Sequence, residues 1–128
     1  PYSHTVTLFD KNISFFKSPS SSHSCCLFYD FVDYLAFLAL RKTRLFNFPI
    51  DSDIIIMSDP LNFSLMTCYA DDYERVNIFM PCNLLGDTIS CTLEDRYKKK
   101  AVSYSILYRS YRSLYDFVKQ YRIINHLQ

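Results

Sequence analysis

Glycine is nearly missing from this chain, and its scarcity excludes several common functions. The 128 residues include one glycine, Gly86, and no tryptophan. P-loops, G-x-G-x-x-G dinucleotide turns and G-x-S-x-G nucleophile elbows all need glycines at positions where only a missing Cβ fits. The chain therefore has none of these motifs, and any phosphate that it binds must contact lysine or arginine side chains.

Long apolar runs are also missing. The longest uncharged windows that are mainly apolar, 60–70 and 76–86, span 11 residues each, whereas a membrane-spanning helix needs about 20 apolar residues. We therefore expect no transmembrane helix. The first residues lack the basic and apolar regions of a signal peptide, so we expect none in this chain, although one could already have been removed.

Cysteine is present in an odd number and at low density, which argues against a disulfide-stabilised scaffold. The five residues are Cys25, Cys26, Cys68, Cys82 and Cys91. Reduced thiols are typical of intracellular proteins, so we expect a reducing, intracellular compartment. Two N-x-S sequons, at Asn12 and Asn62, leave an alternative open: a protein secreted after removal of a signal peptide.

The apolar content is sufficient for one domain spanning residues 1–128. Apolar residues make up 49% of the chain and aromatic residues 17%, and a chain of this size buries about two-thirds of its unfolded surface. The hydrophobic patterns predict an α+β fold, with an antiparallel sheet (an N-terminal hairpin plus a meander) packed by two helices in the order β-β-α-β-β-β-β-α.

The predicted elements follow from period-2 or period-3.6 patterns between turn signals. A serine-rich segment at 18–24 is predicted to be an exposed loop. The predicted strands are Tyr2–Leu8, Ile13–Phe16, Asp53–Met57, Asn62–Ala70, Arg75–Met80 and Thr88–Leu93, and the predicted helices are Leu27–Phe46 and 101–124.

Charge is distributed unevenly along the chain. Residues 1–95 contain six basic and twelve acidic groups, a net charge of −6, whereas residues 96–128 contain eight basic groups and one acidic group, a net charge of +7. The formal net charge of +1 therefore conceals a dipolar molecule.

A basic and aromatic surface is predicted along the C-terminal amphipathic helix. Spacings of four, three, four and three place cations and rings in one stripe, which the lysine run before the helix extends. Such a surface suits single-stranded nucleic acid or an acidic protein partner; a solvated border of the helix would have the same pattern. The residues are Lys98, Lys99, Lys100, Tyr108, Arg112, Tyr115, Lys119 and Arg122.

Catalytic and metal-binding patterns are poorly organised. His23, Cys25 and Cys26 could provide zinc ligands, but no C-x-x-C knuckle is present. The tetrad 69–72 resembles the short reverse-transcriptase motif, which places two metal-binding aspartates in a hairpin turn. That chemistry also needs a third carboxylate on a distant strand within a much larger palm, for which this chain has no room. We therefore expect no metal, no cofactor and no catalytic site.

The sequence favours a non-catalytic protein-interaction or structural subunit of a larger assembly, with a protein partner or a homo-oligomer. A bias toward Phe, Tyr, Ile, Asn, Lys and Ser is typical of AT-rich coding, as in some viruses, parasites and organelles. The alternatives are a nucleic-acid-binding module that uses the basic C-terminal helix, and a secreted effector.

Overall fold

The computed structural model describes residues 7–8, 13–20 and 22–127, which form one mixed sheet with helices on both of its faces. The strands are β1 (Thr7–Leu8), β2 (Ser14–Phe16), β3 (Ser24–Phe28), β4 (Asp53–Ile56), β5 (Arg75–Phe79) and β6 (Ala101–Ser103). The helices are α1 (Phe31–Thr43), α2 (Phe63–Ala70), α3 (Leu84–Tyr97) and α4 (Leu114–Leu127). Short 3₁₀ turns occupy Pro60–Asn62, Lys98–Lys100 and Ser105–Tyr108.

The strand order in the sheet is β1-β2-β4-β3-β5-β6. β3 pairs in parallel with both β4 and β5, and β5 pairs in parallel with β6. The hairpin of β1 and β2 adds to the free edge of β4 in antiparallel orientation. The predicted combination of helices with a sheet is confirmed, but the predicted antiparallel meander is wrong, because the sheet is mostly parallel.

Two hydrophobic cores lie on opposite faces of the sheet. Alternate strand residues supply them: Cys26 and Phe28 point to one core, and Cys25 and Leu27 point to the other. The first core receives residues from α1 and α4 and is rich in stacked aromatic rings, whereas the second receives residues from α2 and α3. Residues 54–57 are all buried, so β4 is covered on both of its faces, as a continuous apolar run in a strand indicates.

Two predicted strands are helices. The segment predicted as Asn62–Ala70 forms α2, because Met66, Thr67 and Ala70 are buried at helical spacing. The segment Thr88–Leu93 lies within α3, where Ile89 and Leu93 are buried four residues apart. Alternation over six residues is too short to distinguish the two periods, and the caps at Asp59 and Asn83 favour the helices.

The two predicted helices are shorter than expected. Leu27 and Phe28 belong to β3, and Asp30 caps α1 by accepting a hydrogen bond from the Asp33 N–H at 2.9 Å. The segment predicted as the helix 101–124 contains β6, a 3₁₀ turn and a loop before α4 begins at Leu114. The predicted N-terminal hairpin is confirmed where β1 pairs with β2, and residues 1–6 and 9–12 of that prediction lie outside the described residues.

Within the described part of the chain, no helix has both the length and the apolar character needed to cross a membrane.

The one glycine lies where α3 approaches the preceding turn most closely. Gly86 is buried in the first turn of α3, and its N–H donates to the Asn83 side chain at 2.7 Å. A Cβ at this position would lie 1.9 Å from the carbonyl oxygen of Pro81. Any side chain would therefore force α3 away from the end of β5.

We expect Gly86→Ala to lower the free energy of unfolding by about 2 kcal/mol or more, because the overpacking exceeds the roughly 1 kcal/mol that alanine adds in helix propensity. Urea denaturation measures this change. Thr92→Ala, on the exposed side of the same helix, should change the value by less than about 0.5 kcal/mol. Equal midpoints for Gly86→Ala and the wild type would contradict the expectation.

Candidate functional site

The carboxyl ends of the parallel strands lie at one edge of the sheet, where helices begin. Asp30 caps α1, Asp59 caps the 3₁₀ turn before α2, and Asn83 caps α3. Before α4, the Ser113 hydroxyl accepts a hydrogen bond from the Asp116 N–H at 3.2 Å. In open sheets of this kind, ligands bind at this edge where neighbouring strands lead to opposite faces. Here that point lies between β3 and β5.

The position between β3 and β5 is filled by the chain itself. Tyr108 is fully buried, and its hydroxyl donates to the carbonyl oxygen of Met80 at 2.8 Å. The Cys82 thiol lies 3.8 Å from the carbonyl oxygen of Ser105, and the Cys82 N–H donates to the Arg112 carbonyl oxygen at 2.7 Å. Burial raises the pKa values of both Tyr108 and Cys82, so both side chains stay neutral near pH 7.

A buried carboxylate joins α1 to α4 at the same edge. Asp33 is 2% exposed, and its carboxylate accepts a hydrogen bond from the Tyr115 N–H at 3.0 Å. Burial, together with the nearby charges of Asp30 and Asp116, raises the pKa of Asp33 to about 6, although the hydrogen bonds from Tyr115 and Ser113 oppose this. Asp33, which belongs to α1, therefore caps the N-terminal end of α4.

Large apolar side chains are exposed along this edge. Leu84 is 85% exposed, Ile106 is 84% exposed and Leu61 is 76% exposed. Each follows a parallel strand and lies in the first turn of a helix or in a 3₁₀ turn. We define the carboxyl-edge surface by its seven exposed residues: Phe31, Val32, Leu61, Leu84, Leu85, Ile106 and Tyr115.

Acidic groups accompany the carboxyl-edge surface. Asp30, Asp59 and Asp116 lie at the helix starts and are exposed or half-buried. The Arg109 guanidinium binds the Asp87 carboxylate at 3.1 Å, which balances that charge. Arg112 before α4 and Lys119 beside the ring of Tyr115 are the other cations, so four carboxylates face three cations here.

The predicted basic and aromatic surface is not continuous. Tyr108 is buried, which corrects its assignment to a binding surface. Arg112 is exposed in the loop before α4, and Tyr115 is 42% exposed in its first turn, with the Lys119 ammonium 5.6 Å from the centre of its ring. Tyr115, Lys119 and Arg122 share one side of α4 by their spacing. The side chain of Arg122 lies outside the described residues.

The lysine run lies at the opposite edge of the sheet, before β6. Lys98 pairs with Asp95 at 3.1 Å. The Lys100 ammonium donates to the carbonyl oxygens of Asp71 and Tyr73, at 2.8 Å each. Lys99 is exposed. The three lysines therefore do not extend the stripe of α4, and two of them already have partners.

The carboxylates in the turns bind neighbouring side chains. Asp71, from the tetrad, makes a two-pronged ion pair with Arg96 at 2.9 and 2.8 Å, which lowers the pKa of Asp71. Asp53 accepts hydrogen bonds from the Ser18 N–H and the Tyr73 hydroxyl. No group of three His, Cys, Asp or Glu side chains suited to a metal is found in the described part of the chain.

Sequence patterns could have identified some of these features. Aspartates before Phe31 and Pro60 are typical helix caps, and an apolar residue one or two positions after each cap was the available signal for the carboxyl-edge surface. The burial of Asp33 had no such signal, because its partner is a backbone N–H 82 residues away.

Asp33 makes the stability of the fold depend on pH. The folded chain holds this proton more tightly than the unfolded chain, whose aspartates titrate near pH 4, so stability falls as the pH rises from about 4 to about 6. Asp33→Asn keeps an acceptor for Tyr115 but cannot ionise. We expect the wild type to lose roughly 2–3 kcal/mol relative to this variant between about pH 4 and pH 7.

Urea denaturation of both proteins across that range measures the difference. A constant difference in the free energy of unfolding would contradict the raised pKa of Asp33.

Comparison with known proteins adds no relationship: no family model, curated protein or solved structure matches this chain. Function is therefore inferred from the fold and from the chemistry of the surfaces described above.

Proposed function

We propose that this protein is a non-catalytic interaction subunit of a larger assembly, and that it binds a protein partner through the carboxyl-edge surface. The observation that carries the proposal is the exposure of seven large apolar side chains along one edge of the sheet. Each gains about 1.5–3 kcal/mol when it is fully buried. Apolar residues grouped in this way are typical of interaction sites.

The charges of the surface indicate the chemistry of the partner. Asp30, Asp59 and Asp116 border the apolar side chains, and Asp87 is already paired with Arg109. A partner that combines apolar side chains with lysine or arginine would complement this edge, because opposite charges across an interface favour association and fix its orientation.

The filled position between β3 and β5 also supports an interaction role. Tyr108 and Cys82 occupy the place where proteins of this topology commonly bind small ligands. The raised pKa of the Cys82 thiol disfavours the thiolate that a nucleophile would need.

The nucleic-acid alternative depends on fewer residues than the sequence suggested. Tyr108 is buried, and the ammonium groups of Lys98 and Lys100 already bind oxygen atoms of the same chain. Tyr115 and Lys119 remain available on α4. Binding to mixed-sequence RNA that weakens steeply with salt, and that is lost in Arg112→Glu with Lys119→Glu, would favour this alternative.

The secreted alternative loses one of its two glycosylation sites. Asn62 is 3% exposed, and its side-chain amide donates to the carbonyl oxygen of Met57 at 2.8 Å. A glycan on this nitrogen is incompatible with the folded chain. Asn12 lies outside the described residues.

Proximity labelling in the cells that make the protein tests the proposed function. We expect Leu84→Lys combined with Ile106→Lys to reduce labelling of the bound partner at least tenfold, because both substitutions place a cation in an apolar contact facing a basic partner. Both side chains are more than four-fifths exposed, so the fold should tolerate the changes.

Glu94→Lys is the matched control, since it changes the net charge by the same amount on an exposed part of α3. Thermal unfolding should confirm that all three proteins are folded. Identical sets of labelled proteins for the double variant, the control and the wild type would contradict the proposed function.

A further inference from the structure

A basic concavity lies at the far end of α1 from the carboxyl-edge surface. Its volume is about 830 Å³, and it is formed by the end of α1 and the loop that leads to β4. We call it the amino-edge concavity, because that loop enters the sheet at the amino end of β4. Its lining residues are Arg41, Lys42, Arg44, Leu45, Phe46, Asn47, Phe48 and Ile50.

The charges of the amino-edge concavity are available for a partner. Arg41 donates to the carbonyl oxygen of Ile50 at 3.0 Å, which shapes the loop. Lys42 and Arg44 are exposed. The lining contains no carboxylate, and Asp51, which follows it, accepts hydrogen bonds from Ser18 and Ser20 at 2.5 and 2.6 Å.

Apolar side chains accompany these cations. Leu45 is 63% exposed and Ile50 is 78% exposed. The concavity therefore combines exposed apolar groups with positive charge, whereas the carboxyl-edge surface combines exposed apolar groups with negative charge. Apolar groups combined with positive charge are the chemistry that a partner of the carboxyl-edge surface needs.

We propose that the partner of the carboxyl-edge surface is a second copy of this chain, docked head to tail through its amino-edge concavity. This inference rests on the proposed function and names the partner. The two surfaces lie at opposite ends of α1, whose 13 residues span about 20 Å. When two copies bind in this way, the pair still has one open carboxyl-edge surface and one open amino-edge concavity. Further copies bind to these, so the assembly extends along one direction as a chain of subunits.

A symmetric dimer through either surface is disfavoured by the same charges. Two carboxyl-edge surfaces would bring Asp30, Asp59 and Asp116 of both copies together. Two amino-edge concavities would bring Lys42 and Arg44 of both copies together. Like charges placed opposite each other disfavour association, so the head-to-tail arrangement is the one that charge complementarity selects.

Sedimentation equilibrium and light scattering of the purified chain test this arrangement. We expect the average mass to rise with concentration, from micromolar to millimolar protein, beyond that of a dimer of the 15.2 kDa chain. High salt should weaken the association because it screens exposed charges. A wild type that stays monomeric throughout, or that stops at a dimer, would overturn the head-to-tail arrangement.

Two variants separate the two surfaces. Leu84→Lys with Ile106→Lys alters only the carboxyl-edge surface, and Lys42→Glu with Arg44→Asn alters only the amino-edge concavity. Asparagine tolerates the left-handed backbone at Arg44, where φ is 59°. We expect each variant alone to be monomeric, with an association constant at least tenfold lower than that of the wild type, and Glu94→Lys to associate like the wild type.

Mixing the two variants is the decisive measurement. Each retains the surface that the other has lost, so an equimolar mixture should form a one-to-one dimer that grows no further. A mixture that stays monomeric, or variants that associate as the wild type does, would overturn the proposal. If self-association fails while the carboxyl-edge variant still loses a labelled partner in cells, the head-to-tail arrangement is wrong and the proposed function stands.

Discussion

Parallel pairing of β3 with both β4 and β5 is the constraint on which the rest of the structure depends. Parallel strands cannot be joined by tight turns, so the chain must cross the sheet between them, and here helices make those crossings. The crossings cover both faces of β3 and place the starts of the helices at one edge. The two hydrophobic cores, the grouped helix caps and the carboxyl-edge surface all follow from this pairing.

The same constraint divides the aromatic residues unequally. Rings are concentrated in the core beneath α1 and α4, where Phe79 stacks on Phe28 with ring centres 4.9 Å apart and on Tyr104 with centres 4.5 Å apart. The opposite core is built more from Met, Ile and Leu. Both cores contain aromatic rings or have rings packed against them. The aromatic content, which is high for a domain with a single core, is therefore explained by the presence of two cores. The aromatic fraction by itself does not argue for a large interface, and the proposed function rests on the exposed aliphatic residues.

The sequence allowed correct prediction of the elements whose pattern is unambiguous over their own length. The continuous apolar run at 54–57 indicated a strand covered on both faces, and the spacing in the first helix was clear. The sequence could not show that the strands run parallel, because the orientation of two strands is decided by the connection between them. Two of the connecting helices, α2 and α3, were interpreted as strands. When Asn62–Ala70 and Thr88–Leu93 are recognised as helices, they provide the crossover connections that parallel pairing of the strands requires.

The candidate site was harder to predict, for a related reason. The basic stripe was placed on a helix assumed to begin near residue 101, but the chain turns at Ser105–Tyr108 and buries Tyr108. Charge counts along the sequence located an excess of cations correctly, yet the parallel topology separates Lys98–Lys100 from the start of α4. Exposed apolar residues one or two positions after helix caps form the proposed surface instead.

The placement of two neighbouring cysteines in β3 has a consequence for the order of events during folding. Cys25 and Cys26 point to opposite faces, and burial raises the pKa of Cys26 to about 12 and that of Cys25 as well. In the folded chain both thiols are buried, which disfavours their thiolates, and they lie on opposite faces of the sheet. Before β3 pairs with its neighbours, both are open to oxidants. Burial therefore protects these thiols only once the centre of the sheet has assembled, and oxidation there requires a chain in which this part of the sheet is open.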